Sequence, residues 1–259
     1  MASNLSDYFT IGVSLVVIAI DDFNNKPICG NKLRVWIEGE KPAIQKQEGY
    51  YVFVNLRKKS FVLHVEGEIY HKQEILIDER KLKEYEQDIL KVRMVPNRCY
   101  PLSADTTCVE GKAKPNSIIL TYSEEYTNPY KLLYTYEKGS TYISVYHPND
   151  INIEGKTLFM KNKNDTWYDF VQIEGRREDE EVVMYNIPCP LEHTYKKIGT
   201  ILYPVYTIPV NVKGEFYFPI ANIYAPAISF IFGIQEKEFR KKEIELTIGK
   251  VNRIDLTDL

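Results

Sequence analysis

The chain has 259 residues, room for two domains of about 100–200 residues each, and either half is long enough to bury a core of its own. Tyr leads the composition with 20 copies, and Tyr, Phe, Val, Ile and Thr favour strands because branched and aromatic side chains pack well on a pleated surface. A formal charge of −3 argues against a dedicated nucleic-acid surface, which carries a basic excess.

The first apolar run, IGVSLVVIAI at 11–20, has neither the basic approach nor the small-residue cleavage site of a secretory signal. It is also too short to span a bilayer. A buried strand is the expectation, and with it no membrane insertion and a default address in the cytoplasm. Release within a particle, without a signal peptide, stays open. Phe9, Ile11, Val13, Leu15, Val17 and Ala19 alternate on one face and Val16, Ile18 and Ile20 on the other. Apolar residues on both faces mark a central strand. DDFNNKPICGN (21–31) is dense in turn formers. LRVWIEG (33–39) is the next strand, with Trp36 facing away from Leu33, Val35 and Ile37.

The chain is organised around GYYVFVNLRKKSFVLHV (49–65), a glycine-led strand, a basic turn and a second strand. EIYHKQEILI (68–77) completes a set of short strands separated by turn clusters, the pattern of an antiparallel sandwich. Leu82, Tyr85 and Ile89 have helical spacing within 78–91. We read 89–95 as a strand and leave open whether a short helix or a charged loop precedes it.

PNRCYPLSADTT (96–107) marks a boundary, and CVEGKAKPNSIILTY (108–122) opens a second sandwich. The texture then changes. YKLLYTYEKGSTYISVYH (130–147) reads as two Tyr-rich strands joined at Lys138-Gly139. IEGKTLFMKNKNDTWYDFVQIEG (153–175) reads as a hairpin turning at Asn162 to Asp165, and RREDEEVVMYNI (176–187) as a charged turn before a strand. GEFYFPIANIYAPAISFIF (214–232) then repeats the glycine-led passage, sharing G-x-[YF]-x-F with residues 49–53.

The expected architecture is all-β, with two transthyretin/Ig-like antiparallel β-sandwiches. The first spans 8–95. The second lies within 96–259, takes its strands from 108–122 and 204–256, and is interrupted by a Tyr-rich β-meander at about 125–195. Insertions succeed at loops whose ends lie close together. Three domains in series is the alternative.

Residues 13–77 carry D-x-x-x-x-x-P-I-x-G from Asp21 to Gly30, then GYYVFVNL, FVLHV and a strand with the aromatic residue Tyr70. This stretch resembles carboxypeptidase regulatory-like (transthyretin-like) β-sandwich domains, and 202–256 repeats its later half less closely. The resemblance implies binding, spacing or structural roles rather than catalysis. VRMVPNRCYPLSADTTCVEGKA (92–113) also resembles proteins of phage-tail-like and contractile injection assemblies.

No motif commits the chain to a reaction. His64, His71, His147 and His193 show no metal-ligand spacing. No G-x-S-x-G elbow or phosphate loop occurs, so no catalytic residue, metal or cofactor is expected. Cys29, Cys99, Cys108 and Cys189 contain no C-x-x-C pair, and a bridge between Cys99 and Cys108 stays open. Glu124, Glu125, Asp150, Asp165, Asp169 and the run 178–181 would supply acid and base to a glycosidase only if the fold brought two of them to one cleft.

The aromatic meander offers Tyr130, Tyr134, Tyr136, Tyr142, Tyr146, Trp167 and Tyr168 either as the core of a small β unit or as an interaction surface. The leading expectation is a non-enzymatic structural or protein-interaction module whose partners are other protein subunits. A glycan-binding module using Tyr and Trp is the alternative, and a glycosidase the weaker one.

Overall fold

The structure, a computed structural model, describes residues 12–84, 89–125, 129–146, 153–164, 166–179, 182–221, 227–235 and 239–259. The chain is all-β in several mainly antiparallel sheets, and it divides into two units at about residue 94, with residues 22–24 going to the second.

The first unit contains β1 (Val13–Asp21), β2 (Lys26–Pro27), β3 (Arg34–Ile37), β4 (Ile44–Gln45), β5 (Tyr50–Val54), β6 (Phe61–Gly67), β7 (Tyr70–Ile77), α1 (Glu79–Glu84) and β8 (Ile89–Met94). As its two apolar faces predict, β1 is central: β5 pairs antiparallel along one edge and β8 parallel along the other. The parallel partner departs from the fully antiparallel expectation. A parallel neighbour needs a crossover, and the stretch holding α1 supplies it by following β7 in the other sheet, β3-β6-β7. The core between the sheets includes Leu15, Val17, Val35, Ile37, Phe53, Leu63, Val65, Ile77 and Val92.

Two polar side chains mark this unit. The hydroxyl of Tyr70, at the start of β7, donates to the buried Asp21 carboxylate at the end of β1 (2.9 Å), tying one sheet to the other. Tyr70→Phe removes a charge-assisted bond and is expected to cost about 1–3 kcal/mol in denaturant unfolding. His71 has the opposite problem: burial pushes its imidazole pKa down, and its Nε2 has no hydrogen-bond partner among the described residues. The unfolded chain therefore binds a proton where the folded chain does not. The associated stability is whole above the ordinary imidazole value of about 6.5 and is lost as pH falls from there toward the lowered folded value. Urea unfolding between about pH 7.5 and 5 is expected to show a steeper acid loss for the natural chain than for His71→Gln.

The second unit contains β9 (Thr107–Lys112), β10 (Ile118–Tyr122), β11 (Tyr130–Leu132), β12 (Tyr142–Ile143), β13 (Val145–Tyr146), β14 (Thr157–Lys161), β15 (Tyr168–Gln172), β16 (Gly175–Asp179), β17 (Val182–Asn186), β18 (Ile201–Pro209), β19 (Glu215–Ile220), β20 (Ala227–Gln235), β21 (Phe239–Thr247) and β22 (Val251–Asp255). The single strand expected at 108–122 is two strands in different sheets. Pro115 and Asn116 turn the chain between them: Asn116 takes a positive φ of 58°, and the Ser117 amide donates to the Lys114 carbonyl. The charged stretch 176–179, expected as a turn, is strand β16, paired with β17.

Taken separately, the units repeat one strand plan. In the first, β1 lies between antiparallel β5 and parallel β8; in the second, β9 lies between antiparallel β19 and parallel β22. The sheet β3-β6-β7 has its counterpart in β10-β20-β21, antiparallel throughout. The glycine-led turns repeat bond for bond. Lys46 N–H donates to Tyr50 O and Gly49 N–H to Lys46 O; Asn211 N–H donates to Glu215 O and Gly214 N–H to Asn211 O. The plans diverge before this glycine, where β4 pairs with β5 but β18 pairs with β10. Strands β11–β17 fall in the chain between β10 and β18.

Among the described residues, three apolar clusters fill the second unit. Ile119, Ile208, Phe216, Phe218, Phe230, Phe232 and Leu246 pack between the sheets of the repeated plan. Tyr130, Leu132, Tyr136, Ile143, Leu158, Val171, Tyr185, Tyr195 and Leu202 form the core of the intervening segment. β18 serves both, because its N-terminal half pairs with β11 and β14 and its C-terminal half with β10. The third cluster, Tyr122, Phe159, Tyr203 and Val205, joins the two parts, with Tyr122 stacked on Phe159 at 4.2 Å.

Candidate functional site

The structure separates the seven aromatic candidates into two groups. Tyr130 and Tyr136 are core residues, at 3 and 5 % exposure, and do not belong to any surface. Tyr130 sits in β11 against β18. Tyr136 bridges to Tyr195, and its hydroxyl accepts the Ser144 amide at 2.7 Å. Tyr134, Tyr142, Tyr146, Trp167 and Tyr168 are 39–54 % exposed. Strict alternation from Tyr130 would put Tyr134 on one face with Tyr130 and Tyr136, but β11 ends at Leu132 and the period ends with it. The hairpin base does pair around Lys138-Gly139, through Lys131 with Tyr146 and Leu132 with Val145. Its tip opens to bond Tyr136 and Gly139 to the 191–195 stretch instead.

The β14–β15 hairpin carries the most developed constellation. Its pairing places the turn at Asn162 and beyond, as the sequence suggested, and the Asn162 side chain accepts the Thr166 amide. Trp167 leaves this turn with its ring parallel to His193, 8° between planes and 5.8 Å between centroids. Asp169, two residues on and therefore on the same face, is buried. Its Oδ1 lies 2.9 Å from His193 Nδ1, and its Oδ2 accepts the Glu192 amide at 3.0 Å. A carboxylate only accepts, so Nδ1 carries a proton toward Asp169; Nε2 is an acceptor in the neutral ring and a donor in the imidazolium. Behind them, burial first and then the Asp169 carboxylate push the Tyr195 hydroxyl pKa well up. On the other face of β15, Tyr168 and Phe170 pack with Phe159 and Phe239.

The remaining sequence candidates fall elsewhere. His64 stacks on Trp36 at 4.9 Å, with the Arg34 guanidinium 4.6 Å from the indole centroid. Glu124 pairs with Lys161, and Glu125 accepts the Ser229 amide. Among the described residues Glu124, Glu125 and Asp169 each engage a different partner, and no group of His, Cys, Asp and Glu is suited to a metal ion. His147, Asp150, Asp165, Glu180 and Glu181 lie outside the described residues, as do the side chains of Glu178 and Asp179. All four cysteines are free, including Cys99 and Cys108. Sequence reading missed the Asp169–His193 pair because its members stand 24 positions apart and no local spacing joins them.

Fold and site together define an all-β, sandwich-type protein with an aromatic display, and no described helix is long and apolar enough to cross a membrane. A solved structure similar to this chain is a DUF3823 family protein from Bacteroides ovatus ATCC 8483, at 10 % identity and a TM-score of 0.23, covering 90 % of this chain and 98 % of that one. No family model and no curated protein matches the chain.

Proposed function

We propose that the protein is a non-enzymatic interaction module, a component of a larger assembly of the phage-tail-like or contractile-injection kind. Two sandwiches of the carboxypeptidase regulatory-like type act as rigid mounts, the second interrupted by the β11–β17 segment. The partner is another protein subunit. The observation that carries this reading is the display of Tyr134, Tyr142, Tyr146, Trp167 and Tyr168 on a segment whose own core is already filled by Tyr130, Tyr136, Tyr185 and Tyr195. Aromatic rings left outside a completed core provide large, stiff contact area at small entropic cost.

Photo-crosslinking from position 142 in the native cell tests it. The expected result is one discrete protein adduct, reproduced with purified partner and absent when the probe sits at Val212, an exposed position in the β18–β19 link. Equal, diffuse labelling from both positions would contradict it.

A second reading, glycan binding, has its own observation: an exposed indole beside a histidine whose Nδ1 is held by Asp169 and whose Nε2 makes no hydrogen bond among the described residues.

A further inference from the structure

We propose that Trp167 and His193 form a subsite for one pyranose ring of a neutral saccharide, which rests on the glycan-binding reading and specifies its residues. Parallel rings with centroids 5.8 Å apart are offset rather than face to face, so part of the indole face stays uncovered. Trp167 is 40 % exposed, and none of the cation–ring contacts among the described residues involves it. Its free face suits an apolar surface with weakly positive C–H groups, as a pyranose presents on one side.

Beside it, His193 Nε2 makes no hydrogen bond among the described residues, while Nδ1 is committed to Asp169. An oriented imidazole nitrogen at the edge of an aromatic platform calls for a hydrogen-bonding group on the rim of a flat apolar ligand, and a sugar hydroxyl answers it as donor or acceptor. A cationic ligand is disfavoured, because the carboxylate that would attract it is buried and already accepts from Glu192 and His193.

The subsite is also held in place before any ligand arrives. Asp169 belongs to β15, and the stretch carrying His193 is tied by Leu191 N–H to Ser140 O and by both backbone bonds between Tyr195 and Tyr136. A site held on both sides loses little freedom when a ligand orders it.

The test uses the full-length ¹⁵N-labelled protein, whose two indole signals come from Trp36 and Trp167. It is titrated with cellohexaose, xylohexaose and mannohexaose. The expected result is a saturable shift of the Trp167 signal with at least one probe, at a dissociation constant of about 0.1–1 mM, and a still Trp36 signal. Trp167→Ala abolishes binding, measured calorimetrically, without moving the unfolding midpoint. Trp167→Tyr keeps part of it. His193→Phe, which retains a ring but loses Nε2, weakens it about tenfold.

Saccharide binding that survives unchanged in Trp167→Ala overturns this subsite and leaves glycan binding standing at another place. No binding of any probe up to about 20 mM overturns both. So does a Trp167 signal that moves only with a protein partner.

Discussion

Alanine at Gly49 is expected to destabilise the first unit by about 2–4 kcal/mol, and alanine at Gly214 to destabilise the second by a similar amount. Both glycines have positive φ, 87° and 76°. A side chain in the left-handed region costs about 1–2 kcal/mol by itself. The rest comes from contact, because a Cβ at Gly49 would lie 2.8 Å from the Ile28 carbonyl oxygen and one at Gly214 2.7 Å from that of Ala113. Backbone cannot step aside as a flexible side chain can. Gly30 and Gly139 separate the two contributions: φ is 75° and 91°, and a Cβ at either meets nothing within 4 Å. Alanine at these positions is expected to cost only about 1–2 kcal/mol. Denaturant unfolding of the four variants checks the amounts. Hydrogen exchange places them, with protection falling in β1 and β5 for Gly49→Ala and in β9 and β19 for Gly214→Ala.

The largest single loss is expected at Tyr122. This ring is fully buried at the join between the intervening segment and the repeated strand plan, stacked on Phe159 and 6.4 Å from Tyr203. Tyr122→Ala leaves a cavity that sheet backbone cannot fill, and about 3–5 kcal/mol should be lost in urea unfolding. Tyr122→Phe keeps the ring stack and should cost far less. In a double-mutant cycle, Tyr122→Ala and Phe159→Ala should fall short of additivity by about 0.5–1.5 kcal/mol, the worth of a stacked pair beyond its buried area. Additive losses would mean that the stack carries no coupling of its own.

Much of the fold is legible in the chain because alternation reports strands locally. The two-faced pattern from Val13 to Ile20 placed β1 at the centre of its sheet, and the shared G-x-[YF]-x-F pattern marked the two turns whose hydrogen bonds coincide. Partner choice is not local, so the parallel pairs β1–β8 and β9–β22 left no periodic trace. The break between β9 and β10 has its turn signal at Pro115-Asn116, which reading 108–122 as one passage passed over. β16 was hidden by its charges, because a run of Arg, Glu and Asp carries no apolar alternation.

The candidate site was legible only in part. Composition located the aromatic segment but not which rings face outward, because that depends on where β11 stops. Trp167 was visible as a residue; its histidine neighbour and the carboxylate behind that histidine meet only when the 191–195 stretch returns to β15.

Cross-strand NOEs around residues 107–122 in the labelled full-length chain test the repeated plan most directly. The expected contacts join Thr121 to both Tyr206 and Phe232, and join Cys108, Val109 and Glu110 to Val251, Asn252 and Arg253 in ascending, parallel order. Residues 118–122 without contacts to 201–209 and 227–235, or 251–255 running antiparallel to 107–112, would contradict it.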